Sequence, residues 1–377
     1  MDILHLILTD YTLQIVSLGS GLLGIISGVL GSFAVIRKES LLGDAVSHAA
    51  LPGIAIAFLL TGTKNTEVLL LGALVTGLLA TFAINGISKY SRIKFDSALA
   101  LVLSVFFGGG LVLLTYIQKI PNANQAGLEN FIFGQASTVL LRDVKVIAVA
   151  GVILLILVAL FWKEFKLISF DIDFAESLGY DTKKITILLF AMIVTSIILG
   201  LQTVGVILMS AMLTAPAVAA RQWTDKLHVM VILSAVFGAV SGIGGTIVSS
   251  VVSKLPTGPM IVIIISIIVI ISLALAPNRG LVWRYMTSRK NQKLINEDQV
   301  LANLYHLAMN HGNEKHSHDI VTISSSPSLS KKGTQIIRQQ LGDLEKRGFA
   351  SKDYFDEWFI TDKGIDRVEN YFHKEEK

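Results

Sequence analysis

The stretch YTLQIVSLGSGLLGIISGVLGSFAVI, residues Tyr11 to Ile36, contains 26 residues and no charged side chain. A helix needs roughly 20 apolar residues to cross the hydrocarbon core of a bilayer, so this stretch is long enough for one crossing. It is too long for the apolar region of a signal peptide, about 7–15 residues, and no basic segment precedes it. The sequence therefore predicts a first transmembrane helix that stays in the membrane.

The composition is that of a membrane protein with a polar extension. Mean hydropathy is +0.64, 52% of residues are hydrophobic and 16% are charged, whereas soluble domains carry about 25% charged residues. Residues 1–290 contain 20 Lys+Arg and 14 Asp+Glu, and residues 291–377 contain 12 and 14. We therefore predict a transmembrane domain over residues 1–290 and a soluble domain over residues 291–377. The absence of cysteine excludes disulfides and thiolate metal sites.

Further apolar runs each have about the length of one crossing. They are Leu41 to Leu60, Val68 to Ile87, Ala98 to Ile117, Val144 to Trp162, Leu227 to Ser253 and Met260 to Ala276. The run Ile185 to Ala220 has 36 uncharged residues; one helix of that length would measure about 54 Å, more than the ~30 Å hydrocarbon thickness. We expect a turn near Gly200 to Gly205 and a shorter segment that continues to Pro216. The predicted fold class is an all-α polytopic membrane protein with nine crossings, or alternatively eight.

Basic residues are distributed unevenly between the connections. With the N-terminus outside, the outer connections carry the single lysines Lys64, Lys119 and Lys254. The inner connections carry Arg37, Lys38, Lys89, Arg92, Lys94, Lys163, Lys166, Lys183, Lys184, Arg221 and Lys226. Because basic loops stay in the cytoplasm, nine crossings place residues 291–377 there.

Asp44 is the only acid inside the long apolar runs, and His48 is the only imidazole there apart from His228 at the start of the run Leu227 to Ser253. A spacing of four places both side chains on one face of a helix, where a carboxylate and an imidazole can share Mn²⁺, Fe²⁺ or Zn²⁺. The pair cannot complete a coordination shell alone, so other ligands must come from a second copy, other spans or water. An ion-paired or water-bridged Asp and His at the start of the helix is the alternative, and spacing alone does not separate the two.

The sequence around the pair, LGDAVSHAALPG from Leu42 to Gly53, closely resembles the signature of the membrane subunits of zinc, manganese and iron ABC importers. The short element Phe131 to Gly134 and the region Ser210 to Arg221 also resemble parts of that family. The resemblance covers roughly residues 10 to 280. It implies that Asp44 and His48 form the intramembrane metal site of a homodimeric permease. It also implies supply by an extracytoplasmic metal-binding protein, and it leaves manganese, zinc and iron open.

The sequence contains no motif for ATP hydrolysis by a phosphate-binding loop. No GxxxxGK[ST] phosphate loop occurs, so we expect a transport subunit without enzymatic activity that depends on a separate ATPase subunit. Between two spans, Phe170, Phe174 and Leu178 recur at spacings of four, which predicts an amphipathic helix at the membrane surface. That helix is either an interfacial anchor or, as the resemblance implies, the coupling helix, with Ala175 and Gly179 as the small positions that seat it against the ATPase.

The sequence of the polar extension predicts a first helix at Glu297 to Asn310, then a short turn and a second helix within Ser328 to Arg347. A β-hairpin over Phe349 to Ile360 and a last helix at Asp366 to Phe372 follow. This order resembles a small α+β winged-helix domain, which the importer family commonly lacks. DNA binding is favoured by the basic residues Lys331, Lys332, Arg338, Lys346 and Arg347. The net charge of −2 argues against it, because DNA-binding domains are usually strongly basic. We therefore favour a protein-contact or regulatory module and expect no nucleic-acid partner.

His311, His316 and His318 lie between two predicted helices of the extension. Such a cluster is either a regulatory metal site or, without a scaffold, a solvated loop. Two other functions also remain open for the whole chain: a permease for a metal chelate such as a siderophore, haem or cobalamin, and a membrane-tethered regulator that acts through the extension.

Overall fold

The computed structural model describes residues 10–63, 65–120, 140–201, 203–251, 255–277, 280–311, 316–325, 329 and 334–375. The chain divides into two compact units, Met1–Leu281 and Val282–Lys377. The predicted element at Phe131 to Gly134 lies outside the described residues.

The first unit is helical in its described residues. Its helices are α1 (Tyr11–Ile36), α2 (Leu42–Thr61), α3 (Thr66–Tyr90), α4 (Phe95–Gln118), α5 (Leu141–Leu160), α6 (Trp162–Phe170), α7 (Ile172–Ser177), α8 (Thr182–Gly200), α9 (Val206–Trp223), α10 (Leu227–Val251) and α11 (Thr257–Leu275). Eight of the described helices, which exclude α6, α7 and α9, are long and apolar enough to cross a membrane. The predicted polytopic all-α class is confirmed, and eight of the nine predicted crossings correspond to helices of this kind.

Helices α1 and α2 are the most buried spans and form the centre of the bundle. Helix α1 begins at Asp10, whose carboxylate accepts hydrogen bonds from the backbone N–H groups of Thr12 and Leu13 at 2.9 and 3.2 Å. It packs so closely on α10 that a Cβ on Gly24 would collide with the carbonyl oxygen of Gly238. Small residues permit such close approach of helices, which is how apolar helices associate in lipid.

The long uncharged run breaks where the sequence predicts. Helix α8 ends at Gly200 and α9 begins after Gly205, whose φ of +92° is readily accessible only to glycine. Helix α9 has a shorter apolar length than the eight crossing helices, because its last turn, which contains Arg221, is polar.

Helix α9 nevertheless returns the chain toward the side where α1 and α11 end. Its first turns pack Met209 against Gly200 at the end of α8. At its other end, the indole N–H of Trp223 donates to the hydroxyl of Ser272 in the last turn of α11 (2.9 Å). Ala220 lies in a cluster with Ile36, the last residue of α1. The start of α9 is therefore level with the end of α8, and its end is level with the ends of α1 and α11.

The second unit has its own core. Its elements are α12 (Leu281–Asn310), α13 (Ile320–Ser324), α14 (Thr334–Lys346), β1 (Ala350–Lys352), β2 (Trp358–Ile360) and α15 (Asp362–Glu375). The strands are antiparallel, with Ala350 opposite Ile360. Val300, Leu341 and Trp358 are among the buried core side chains. The predicted order of helices and hairpin is present, with α12 beginning earlier than expected. The winged-helix assignment itself stays a prediction.

Candidate metal site in the membrane domain

Asp44 and His48 lie in the first two turns of α2, on the same face of the helix. The Nε2 atom of His48 is 3.4 Å from Oδ1 of Asp44. The Asp44 side chain is 41% exposed and the His48 side chain is 14% exposed. The pair therefore reaches the surface of this chain through the carboxylate, while the imidazole lies deeper.

Two side chains from other helices complete the surroundings of the pair. The hydroxyl of Ser210, in the second turn of α9, lies beside the Asp44 carboxylate. The ring of Phe107, in α4, packs edge-on against His48, with ring centroids 4.6 Å apart. We did not assign either residue to the site from the sequence. Ser210 stands at the start of a segment that resembles the importer family, whereas no sequence signal pointed to Phe107.

The backbone of α2 is fixed close to its neighbours around the pair. A Cβ on Gly43 would lie 2.8 Å from the side chain of Leu213 in α9, and one on Gly53 would collide with the carbonyl oxygen of Gly72 in α3. The hydroxyl of Ser47 donates to the carbonyl of Gly43 at 2.7 Å, so this buried group is satisfied within the helix. Tight packing on two sides holds the two donor side chains at a defined position.

Pro52 lies inside α2, one helical turn after His48. Proline has no N–H group, so the i+4 hydrogen bond that would engage the carbonyl oxygen of His48 is missing. In addition, Nδ1 of His48 is buried and has no hydrogen-bond partner among the described residues. His48 thus has two polar atoms, its carbonyl oxygen and Nδ1, whose hydrogen bonds are not made within α2.

The separation of the two donors suits a shared cation. Bonds of about 2.1 Å to a nitrogen and an oxygen, at a tetrahedral angle, place the two donor atoms about 3.4 Å apart. Within the part of the chain that is described, no group of three or more His, Asp or Glu side chains could hold a metal ion as placed. One copy of the chain therefore offers two candidate side-chain donors, Asp44 and His48, at this position.

The predicted amphipathic segment comprises Phe170, the last residue of α6, and the short helix α7, which is followed by a turn. Phe170, Phe174 and Leu178 are all more than half exposed, whereas Ala175 is fully buried within its own chain. Ala175 therefore faces inward, away from the surface where a partner would bind. Gly179 has a φ of +84° and ends the segment, so its conformation is the reason for glycine there.

The candidate metal-binding and DNA-binding side chains of the extension differ in their surroundings. The rings of His311, His316 and His318 contact one another. Arg347 pairs with the buried carboxylate of Glu297, with Nη1 2.6 Å from Oε2, so it is engaged within its own unit. Arg338 and Lys346 are exposed. Lys331 and Lys332 lie outside the described residues.

Comparison with known proteins gives a consistent family match. Residues 9–276 match the family model described as the ABC 3 transport family. The chain is 51% identical over 298 residues to the zinc transport system membrane protein TroC of Treponema pallidum (strain Nichols), covering 79% of this chain and all of that protein. It is 41% identical over 354 residues to the manganese transport system membrane protein MntC of Bacillus subtilis (strain 168), covering 94% of this chain and 80% of that protein.

A solved structure, PsaBC from Streptococcus pneumoniae in complex with Fab, contains a similar chain. The TM-score is 0.66 at 30% sequence identity, and the match covers 76% of this chain and 98% of that one. The match to MntC is long enough to extend into the second unit, whereas the match to TroC uses all of TroC and leaves 21% of this chain unmatched. The relatives therefore differ in how much of the second unit they match.

Proposed function

This chain belongs to the ABC 3 transport family, and from that premise we propose that it is the membrane permease subunit of an ATP-driven importer of divalent metal ions. The cargo is manganese, zinc or iron, and Asp44 and His48 bind it in transit. The names of TroC and MntC, which refer to zinc and manganese transport, support this class of cargo. ATP hydrolysis belongs to a separate ATPase subunit, so this chain is a transport subunit and not an enzyme.

The single observation that carries the proposal is the Asp44–His48 pair. An ionisable side chain within a membrane domain costs several kcal/mol unless it is paired, solvated or bound to metal. The 3.4 Å separation of Nε2 and Oδ1 matches two neighbouring ligands of one cation. The Ser210 hydroxyl lies beside the carboxylate, and outer partners of this kind tune metal ligands. An interfacial ion pair with no transport role would not need this supporting contact from α9.

A second copy of the chain would supply the missing ligands. Two Asp44 and two His48 side chains facing one central path give four ligands, the number that zinc usually takes. The free carbonyl oxygen of His48 offers a further hard donor for manganese. The exposed carboxylate of Asp44 is consistent with a site completed from outside its own chain. Light scattering of the purified chain in detergent should then give twice its 40.8 kDa mass; a monomer would contradict the shared site.

The apolar surface formed by Phe170, Phe174 and Leu178 is the proposed docking site of the ATPase subunit. It adjoins a groove of about 630 Å³ that is also lined by Lys163 and Lys166. Because Asp171, Asp173 and Glu176 alternate with these apolar residues, this surface lies outside the hydrocarbon region and needs a protein partner to cover it. Phe174→Ser should reduce the ATPase that co-purifies with the chain, whereas Ile187→Ser, also at an exposed apolar position, should not.

The proposed location is the bacterial plasma membrane, with the N-terminus outside. Arg37, at the end of α1, donates to the carbonyl of Ile168 in α6 and pairs with Glu39, so a basic group marks the side of the coupling surface. Helix α5 separates that side from a cavity of about 400 Å³ lined by Glu67 and Arg142 among others. This cavity is the proposed docking face for the extracytoplasmic metal-binding protein.

We propose that the second unit, predicted from the sequence as residues 291–377, is a cytoplasmic winged-helix-like module for protein contact or regulation. The engagement of Arg347 with Glu297 removes one basic side chain from the set that favoured DNA binding. A membrane-tethered transcriptional regulator and a metal-chelate permease are the competing functions, and the uptake experiment separates them.

Metal uptake in cells that express the chain with its ATPase and binding protein tests the proposal. Asp44→Asn and His48→Ala should each lower manganese, zinc or iron accumulation at least tenfold while the complex still assembles. Asp96→Asn and His228→Ala, exposed positions in the first turns of α4 and α10, are matched controls and should leave uptake unchanged. Normal uptake in both site variants would favour a chelate permease, and altered transcription with normal uptake would favour the regulator.

A further inference from the structure

Three histidines converge in the second unit, outside the membrane site. The ring centroids of His311 and His316 are 4.6 Å apart, those of His311 and His318 are 5.2 Å apart, and those of His316 and His318 are 5.0 Å apart. His311 follows the last residue of α12, while His316 and His318 lead into α13. The chain therefore brings three imidazoles together across one connection.

His318 is a fixed, buried member of this cluster. It is 5% exposed. Its backbone N–H and C=O groups exchange two hydrogen bonds of 2.9 Å with Trp358 at the start of β2. Its side chain lies beside the backbone of Leu307, while Nε2 is buried without a hydrogen-bond partner among the described residues. Nδ1 is therefore the atom positioned to interact with the Leu307 backbone, and Nε2 is left for another partner.

This arrangement of His318 is the usual one for a histidine ligand. Metal-binding histidines commonly donate one ring N–H to a backbone carbonyl, which fixes the tautomer and presents the other nitrogen to the metal. A histidine in a solvated loop would be exposed and would bond to water.

The spacing of the rings fits one small cation. A metal about 2.05 Å from each nitrogen lies about 3.2 Å from each ring centroid, so three tetrahedral ligands have centroids about 5 Å apart. The observed separations bracket this value. As placed, the three rings contact one another, and their donor atoms do not converge on one point. His311 and His316 are exposed, so rotation of these two rings completes the site around the fixed Nε2 of His318.

We propose that His311, His316 and His318 bind one divalent transition-metal ion of the zinc class, which ties the end of α12 to the β-hairpin. Three imidazoles favour Zn²⁺ or Co²⁺ over Mn²⁺, because manganese prefers oxygen ligands. The Glu357 carboxylate, which accepts a hydrogen bond from the Ser317 hydroxyl at 2.8 Å, faces His318 and is the available fourth ligand, with water as the alternative. This site differs from the Asp44–His48 pair in its donor set and therefore in its selectivity.

The experiment uses the full chain in detergent with Asp44→Asn and His48→Gln, so that the membrane pair does not contribute bound metal. Equilibrium dialysis should give one Zn²⁺ per chain. Titration with Co²⁺ should give the intense visible absorption of a tetrahedral site, and Mn²⁺ should bind at least tenfold more weakly than Zn²⁺. Because the membrane ligands are absent, the result is independent of whether the chain transports metal.

His311→Gln combined with His316→Gln, introduced into that background, should abolish stoichiometric Zn²⁺ binding and the Co²⁺ spectrum. Both positions are exposed, so the core of the unit is retained. His306→Gln, an exposed histidine on the same helix, is the matched control and should keep both signals. Absence of Zn²⁺ from the background chain, or equal binding by the double variant, would overturn the proposal.

Discussion

At the residue scale, the membrane site consists of a short-range pair and longer-range support. Asp44 and His48 meet because they are one turn apart in α2. Ser210 and Phe107 reach them from α9 and α4, whose positions depend on the packing of the bundle. We expect the affinity of the proposed site for a cation to depend on the neighbouring Ser210 hydroxyl as well as on Asp44 and His48.

Ser210→Ala removes the hydroxyl beside the Asp44 carboxylate. A hydrogen bond to a charged group contributes about 1.5–3 kcal/mol when buried, and the half-exposed position of Asp44 reduces the expected effect to about 1 kcal/mol, or roughly fivefold in affinity. We expect the metal concentration for half-maximal uptake to rise by about that factor, with normal folding. Thr214→Ala, which removes a hydroxyl bonded only to the Ser210 carbonyl one turn away, is the control. Equal effects of the two substitutions would show that Ser210 acts through helix stability alone.

At the element scale, glycines set the distance between α1 and α10. The carbonyl oxygens of Gly238 and Ser234 lie where a side chain on Gly24 or Gly28 would be. The hydroxyl of Ser234 also donates to the carbonyl of Gly28 at 2.7 Å, which adds a hydrogen bond between the two helices. Since apolar side chains gain little by leaving lipid for another helix, close backbone contact is the main source of this association.

Gly24→Ala should destabilise the membrane domain by about 1–3 kcal/mol, because the two helices must separate to admit the methyl group. Gly86→Ala is the matched control, since a Cβ there meets no atom within 4 Å, and replacing a helical glycine by alanine stabilises by about 0.5–1 kcal/mol. Thermal unfolding in detergent measures both effects. An unchanged midpoint for Gly24→Ala would mean that the α1–α10 contact is looser than described.

At the scale of the whole molecule, α9 decides on which side of the membrane the second unit begins. Eight long apolar helices alone would return the chain to the side where it started. Helix α9 makes a further passage from the end of α8 to the ends of α1 and α11. The proposed location of the second unit in the cytoplasm depends on this passage together with the basic residues beside α1.

Fusion of green fluorescent protein after Lys377 should give fluorescent cells, because this reporter folds in the cytoplasm and not after export in an unfolded state. A truncated chain fused after Gly62, at the opposite end of α2, should be dark. The two fusion proteins need comparable expression, measured by immunoblot. Fluorescence of the Gly62 fusion with a dark Lys377 fusion would reverse the proposed orientation.

The sequence alone determined the membrane class, the places of the eight long helices, the break near Gly205 and the pairing of Asp44 with His48. Each of these depends on local properties: the length of an apolar run, the conformational range of glycine, or the i,i+4 spacing of a helix. Three helices of the second unit and its hairpin were predictable for the same reason, although the start of α12 and the short helix α13 were not.

Only the tertiary structure decided which residues surround the pair, that Ala175 faces inward, that α9 carries the chain back, and that three histidines meet beside β2. These features join residues far apart in the sequence, such as Asp44 with Ser210 and His318 with Trp358. The energy of such contacts depends on how whole helices pack, and hydropathy and spacing along the chain do not contain that information.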